Sequence, residues 1–152
     1  LYPNNFLAYS FRVDSYSKLD RYDKSIQDFT RAISINAANV SYYYRRGLSY
    51  MYIYEADKAI RDYNTAISLN PNYEDAYYGR GFANVDIGQL GKALEDFTKV
   101  LILNPNYVEA YASRGLVYMR LEKKKEAIKD FEKACQMGYA AGCELVQDVL
   151  KN

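Results

Sequence analysis

The residue types along this chain repeat every 34 residues, and this period constrains the fold more than any other feature. The period separates the members of four columns, which are Tyr9, Tyr43, Tyr77 and Tyr111; Phe29, Tyr63, Phe97 and Phe131; Asp28, Asp62, Asp96 and Asp130; and Arg12, Arg46, Arg80 and Arg114. A fixed period of this size predicts stacked structural repeats that bury their apolar faces against one another. Because such arrays mostly bind other molecules, the period favours a binding function over catalysis.

Each repeat unit reads as two helices joined by a short turn. In the second unit the residues Ala59, Ile60, Tyr63, Ala66 and Ile67 recur at steps of three and four, which is typical of the apolar stripe of one helix. A glycine inside a helix costs about 1 kcal/mol relative to alanine. The equally spaced Gly47, Gly81 and Gly115 therefore predict that two helices approach closely at each of them.

The pattern resembles the tetratricopeptide repeat, which carries aromatic, glycine, alanine and proline positions in a fixed order. The second unit shows it through Tyr43, Gly47, Tyr50, Ala59, Tyr63, Ala66 and Pro71. The resemblance implies an all-α fold, namely an α-solenoid in which antiparallel helix pairs stack into a right-handed superhelix. It also implies one domain over residues 1–152.

That domain divides along the period. Its parts are a tail of a preceding repeat at residues 1–5, repeats at 6–39, 40–73, 74–107 and 108–141, and a capping helix at 142–152. The first repeat is degenerate, because Val13 replaces the glycine, Ser25 the alanine and Ala37 the proline. Since Leu1–Asn5 parallels the residues around Pro71, we expect the chain to be a piece of a longer array.

Composition argues against several other classes of function. The net charge of +1 gives no basic face for nucleic acid, and no run of about 18 apolar residues predicts a membrane span. The chain has no histidine, so it lacks a Ser-His or Cys-His pair and a histidine-bound metal. We therefore expect no catalytic residues, no cofactor and no metal site.

The arginine and aspartate columns share one period, so a contact between them that forms once can form in every unit. We predict a structural ladder of ion pairs, partly buried, with arginine stems covering apolar surface. Its members are Arg12, Asp28, Arg46, Asp62, Arg80, Asp96, Arg114 and Asp130. The alternative is a row of arginines that binds acidic ligands.

In the family, the first helices line a concave groove that binds extended peptides or partner helices. Carried over by helix face, the groove residues here are Ser10, Asp14, Tyr44, Arg45, Leu48, Tyr52, Tyr78, Phe82, Asp86, Leu116 and Arg120. The row is too apolar for a bare solvent face, which favours an interaction site. The alternative is that some of these side chains contact the neighbouring repeat.

The expected partner is another protein or a peptide. The resemblance also concerns a subclass of the family that grips chaperone tails with a Lys and Asn pair. That pair is absent, because its positions hold Ser10 and Asp14 in the first repeat and Tyr44 and Leu48 in the second. The alternative function is self-assembly into homo-oligomers, either head to tail or through the groove.

Two cysteines, Cys135 and Cys143, lie near the end of the chain. The surrounding sequence resembles cysteine-rich relatives of the family in which two such cysteines are linked across a helix turn. That resemblance implies a disulfide and an exported or periplasmic protein. The alternative is two small buried residues that stay reduced in the cytoplasm. The sequence leaves the compartment open.

Overall fold

The computed structural model describes the backbone of residues 14–151 and the side chains of residues 21–151, and the regular structure of that part is α-helical. Its helices are α1 (Asp14–Ile35), α2 (Val40–Tyr52), α3 (Ala56–Leu69), α4 (Glu74–Asp86), α5 (Leu90–Leu103), α6 (Val108–Arg120), α7 (Lys124–Gln136) and α8 (Ala140–Lys151). None of these helices is long and apolar enough to cross a membrane. The chain is an α-solenoid of helix pairs. It forms two compact units, Leu1–Pro71 and Asn72–Asn152, and the single domain stays a prediction.

Three of the helix pairs are joined by the same turn. The middle residue of this three-residue turn has a positive φ each time, at 62° for Tyr54, 75° for Gly88 and 59° for Glu122. Left-handed backbone is strained for residues other than glycine, so the tertiary structure imposes this turn on Tyr54 and Glu122. The period therefore sets the backbone conformation even where the local residue does not favour it.

The first repeat, residues 6–39, departs from the helix pair that the period predicts. The turn equivalent to Ile53–Glu55 falls at residues 19–21, but α1 continues through these residues as one helix of 22 residues. The described sequence of α1 contains neither glycine nor proline, so no residue in it interrupts the helix. The rest of the predicted first repeat, including Arg12 and Ser10, lies outside the described residues.

A close approach of glycine to an aromatic ring fixes each helix pair. A Cβ placed on Gly47 would lie 2.7 Å from Cε1 of Tyr63, and one on Gly81 would lie 2.7 Å from Cε1 of Phe97. In the last pair, a Cβ on Gly115 would lie 2.5 Å from Cε1 of Phe131. All three rings are fully buried. The first helix of each pair thus lies directly on the ring of the second.

The arginine and aspartate columns meet within each of these pairs. Nε and Nη2 of Arg46 both donate to the carboxylate of Asp62 at 2.7 Å. The carboxylates of Asp96 and Asp130 accept from Arg80 at 2.6 Å and from Arg114 at 2.7 Å in the same way. All three carboxylates are buried. Asp28 is exposed, and its predicted partner Arg12 lies outside the described residues.

The guanidinium groups also contact side chains beyond their aspartates. Each guanidinium lies over a ring of the tyrosine column. The distance from Cζ of Arg46 to the ring centroid of Tyr43 is 5.8 Å, and Arg80 and Arg114 lie over Tyr77 and Tyr111 in the same way. Arg46 donates to Oγ1 of Thr30 on α1 at 3.0 Å, and Arg114 donates to Thr98 on α5 at 3.1 Å. These arginines therefore link successive repeats as well as the two helices of one repeat.

Burial has an electrostatic cost at the ion pair of Arg80 and Asp96. Desolvation raises the pKa of Asp96, although hydrogen bonds from Arg80 and Asn84 oppose the shift. The amide of Asn84 donates to Oδ2 of Asp96 at 2.9 Å. At the other pairs, hydrogen bonds to Asp62 and Asp130 raise the pKa of Arg46 and Arg114.

In the second unit, α4 to α7 form two helix pairs and α8 packs on α7. Val146 and Val149 of α8 are buried against Ala127 and Phe131. Cys135 and Cys143 are joined by a disulfide bond with their Cα atoms 4.7 Å apart. Helix α8 begins at Ala140, two residues before the predicted cap. Gly142 allows this approach, because its Cβ would lie 3.0 Å from backbone atoms of α7.

The glycine contact predicts opposite effects at two glycines of the second unit. Gly81→Ala should lower the free energy of unfolding by about 1 kcal/mol or more, because overpacking against Phe97 outweighs the gain in helix propensity. Gly91→Ala is the matched control, since a Cβ on Gly91 meets nothing within 4 Å. It should raise stability by up to about 1 kcal/mol. Chemical denaturation measures both, and equal stabilisation by the two substitutions would rule out the close contact.

The buried ion pair predicts a loss of stability when one partner is removed. Asp96→Ala leaves the Arg80 guanidinium and the Asn84 amide without their shared acceptor, so the free energy of unfolding should fall by about 2–3 kcal/mol. Asp23→Ala, at an exposed carboxylate, should change it by less than about 0.5 kcal/mol. An unchanged denaturation midpoint for Asp96→Ala would show that the pair contributes nothing to stability.

Candidate functional site

In the compact unit Leu1–Pro71, four predicted groove residues lie along α2. Arg45 and Tyr52 are exposed, whereas Leu48 is half-buried. Tyr44 is also half-buried, and its ring packs against the buried ring of Tyr63 with centroids 6.1 Å apart. Tyr44 thus contributes to the packing of the helix pair, and the other three present one face to a cavity.

This cavity lies between α1 and α2 and has a volume of about 410 Å³. It is lined by Arg21, Tyr22, Ser25, Phe29, Arg45, Leu48, Ser49 and Tyr52. We call it the α1–α2 cavity. The rings of Tyr22 and Tyr52 stack in parallel across its edge, with centroids 4.4 Å apart and planes at 8°. The hydroxyl groups of Ser25 and Ser49 are hydrogen-bonded at 3.0 Å.

Two cationic side chains belong to the described lining of the α1–α2 cavity. Arg21 and Arg45 are both exposed, and none of the described residues that line the cavity is acidic. Within residues 21–151, no carboxylate lies within ion-pair distance of either guanidinium. Burial raises the pKa of Tyr22, and the neighbouring Tyr52 acts in the same direction while Arg21 opposes it. The tyrosine therefore stays neutral at ordinary pH.

In the compact unit Asn72–Asn152, the side chain of Tyr78 packs between α4, α5 and α6. Its ring lies 4.9 Å from Phe82, 5.7 Å from Phe97 and 4.8 Å from Tyr107, measured between centroids. Its hydroxyl forms a hydrogen bond of 3.1 Å with Ser113, and burial raises its pKa to about 12. The ring of Tyr78 therefore packs within its own repeat, and the hydrogen bond to Ser113 is a contact with the neighbouring repeat, which is the alternative to a groove position.

Phe82, also a predicted groove residue, is half-buried, and its ring packs 5.4 Å from Phe97 between centroids. The remaining predicted groove residues of this part of the chain are more open. Asp86 and Arg120 are exposed, and partial burial raises the pKa of Asp86 while Arg120 opposes the shift. Leu116 is half-buried and lines a second cavity, of about 470 Å³, between α6, α7 and α8. The apolar part of its lining is Leu116, Met119, Phe131, Leu145 and Val149.

Two predicted groove residues cannot be assigned to a surface. Ser10 lies outside the described residues, and Asp14 is the first residue of α1 but its side chain is not among those described. The structure instead adds Arg21 and Tyr22, which sequence analysis missed. Neither belongs to a periodic column, and both line the cavity because α1 runs on without the predicted turn.

Nothing among the described side chains suggests metal chemistry. No group of three or more histidine, cysteine, aspartate or glutamate residues in that part of the chain could hold a metal ion. Both cysteines are joined to each other. The chemistry that the α1–α2 cavity does offer is hydrogen bonding by guanidinium and hydroxyl groups beside apolar and aromatic surface.

Several solved structures are similar to this one. A crystal structure of MamA is 25% identical, with a TM-score of 0.75 over 86% of this chain and 83% of the MamA chain. YrrB, described as a TPR protein with an unusual peptide-binding site, is 22% identical with a TM-score of 0.76 over 88% of this chain and 68% of its own. The first TPR of Spaghetti (RPAP3), bound to an HSP90 peptide, is 22% identical with a TM-score of 0.71 over 74% and 90%. These likenesses show the fold.

A comparison with curated protein sequences gives no significant match. Family models do match most of the chain. Models of the tetratricopeptide repeat match residues 7–39, 74–107 and 108–138, and a TPR repeat model matches residues 55–88. The segments 7–39, 74–107 and 108–138 follow the 34-residue period, and the first of them is the degenerate first repeat. The segment 55–88 is 34 residues long but is offset from these bounds. The chain therefore belongs to the tetratricopeptide repeat family.

Proposed function

We propose that this protein-interaction scaffold binds an extended peptide or a partner helix on the open face of its first helices. The observation that carries the proposal is the face of α2, where Arg45, Leu48 and Tyr52 line a cavity. Residues spaced by three and four positions share one side of a helix, so one ligand can contact all three. No catalytic role is proposed.

The chemistry of this face suits peptide recognition. Tyr52 is 52% exposed, and an aromatic side chain gives a large contact area with little loss of conformational entropy. Leu48 supplies apolar surface, and the guanidinium of Arg45 can donate to carboxylate or backbone oxygens. Apolar anchors beside a few well-placed polar groups are typical of grooves that bind peptides or helices.

Two of the similar structures support the same kind of ligand. YrrB is described as having a peptide-binding site, and the RPAP3 domain is bound to an HSP90 peptide. Their identities to this chain are low, so they support the class of ligand but not its sequence. In the second unit, Leu116 and Arg120 on α6 offer a similar pairing of an apolar and a cationic side chain.

Self-association is the alternative proposal. Leu150 of α8 is 62% exposed, and an exposed apolar side chain can contact a second copy of the chain. Sedimentation over a concentration series distinguishes the two functions. Growth in mass that Leu150→Glu abolishes would favour self-association, and a constant mass would favour binding of a different partner.

The exposed face of α2 predicts a specific loss of binding. Against a peptide selected by display on the whole protein, Tyr52→Ser should weaken binding roughly tenfold, since truncating an interface aromatic costs about 1–2 kcal/mol. Tyr54→Ser is the matched control, because Tyr54 is 91% exposed and does not line the cavity. Fluorescence anisotropy gives the dissociation constants, and circular dichroism checks the fold.

Two outcomes would contradict the proposed groove on α2. If Tyr54→Ser weakens binding as much as Tyr52→Ser, the ligand lies outside the α2 face. Binding that neither substitution changes would place it on another surface of the protein and would contradict the proposed groove.

A further inference from the structure

Some arginines of this protein are paired with a carboxylate within the chain, and others are not paired with any carboxylate of residues 21–151. Arg46 is held by Asp62 through two hydrogen bonds of 2.7 Å, and its side chain is 17% exposed. Its chain neighbour Arg45 is exposed and faces the α1–α2 cavity with Arg21. The structural arginines thus receive a carboxylate from within the chain, but these two do not receive one from any residue in 21–151.

We propose that the α1–α2 cavity recognises the carboxylate of an aspartate or glutamate side chain in a partner peptide. The inference rests on the proposed peptide-binding function and names the chemistry of its ligand. Arg21 and Arg45 bind the carboxylate, while Phe29 and Leu48 contact an apolar residue beside it. The partner is therefore an acidic peptide with an interspersed apolar residue.

Charge complementarity is the main argument for this ligand. A guanidinium group presents its donors in a planar fork that matches the two oxygens of a carboxylate. Neither Arg21 nor Arg45 has a carboxylate of residues 21–151 within ion-pair distance, and two such cations side by side attract an anionic side chain. Both are exposed, so the attraction is screened by salt and the affinity falls as ionic strength rises.

The cavity also has the shape and the lining of a binding site. Its volume of about 410 Å³ lies in the range of cavities that hold small ligands or single side chains. Tyr22 and Tyr52 stack at its edge, and Ser25 and Ser49 add hydroxyl groups. The hydroxyl of Ser49 also donates to the backbone oxygen of Arg45 at 3.0 Å, which ties that part of the lining together. Arg31 and Arg61 are exposed as well, but they do not line the cavity.

The proposed ligand is a side chain and not a chain terminus. The cavity combines Arg21 of α1 with Arg45 of α2, whereas the residues of the chaperone-tail subclass are replaced at Tyr44 and Leu48. A carboxylate within a peptide also leaves apolar neighbours on both sides of it, which the lining of Phe29 and Leu48 can contact. Peptides blocked at both ends therefore test the proposal without a terminal carboxylate.

The experiment uses a library of end-blocked peptides in which each glutamate-containing member has a glutamine counterpart. The same peptides with a free C-terminal carboxylate are measured beside them. Binding to the whole protein is measured by fluorescence anisotropy at low and at high salt. The double variant Arg21→Glu with Arg45→Glu is compared with Arg31→Glu with Arg61→Glu, which changes the net charge equally. The milder pair Arg21→Gln with Arg45→Gln serves if charge reversal disturbs the circular dichroism spectrum.

We expect glutamate peptides to bind about tenfold more tightly than their glutamine counterparts, and this preference to weaken at high salt. The cavity variant should lose the preference, and the control variant should keep it. If peptides bind without preference for glutamate, or if the control variant loses the preference equally, the acidic ligand is ruled out while peptide binding stands. If only peptides with a free terminal carboxylate bind, the ligand is the terminus, and the inference is wrong. If no peptide binds the folded protein, the inference and the proposed function both fail.

Discussion

The contact between a glycine and a buried aromatic ring is the constraint on which each helix pair depends. At Gly47, Gly81 and Gly115 a single added carbon would lie within 2.7 Å of a ring, so the two helices cannot be this close with any other residue unless something moves. That spacing brings each arginine of the first helix onto an aspartate of the second. Burial then makes the pairing obligatory, because a desolvated carboxylate without a partner is costly.

Much of this architecture could be predicted from the sequence because it repeats. A contact that depends on residue type at a fixed spacing, such as Arg80 with Asp96, recurs with the same geometry at Arg46 and Arg114. The structure of the first repeat, residues 6–39, was harder to predict. The period places a turn at residues 19–21, but no glycine or proline interrupts α1.

The candidate site shows where periodic reasoning ends. Helix face groups Arg45, Leu48 and Tyr52, and all three line the α1–α2 cavity, because residues on one stripe share a surface. It could not distinguish them from Tyr78, whose ring is enclosed by three other aromatic rings of its own unit. Nor could it find Arg21, because that residue joins the α1–α2 cavity through a helix that departs from the repeat. The period therefore predicts the helix pairs of the scaffold, whereas part of the candidate site depends on a departure from the period in α1.

The central claim is that a partner binds the open face of the first helices. Hydrogen–deuterium exchange on the whole protein, with and without a saturating selected peptide, tests it most directly. We expect slower exchange in α1 and α2 around the α1–α2 cavity, with no change in α3. Protection confined to α3, or to helices of the second unit other than α4 and α6, would contradict the account.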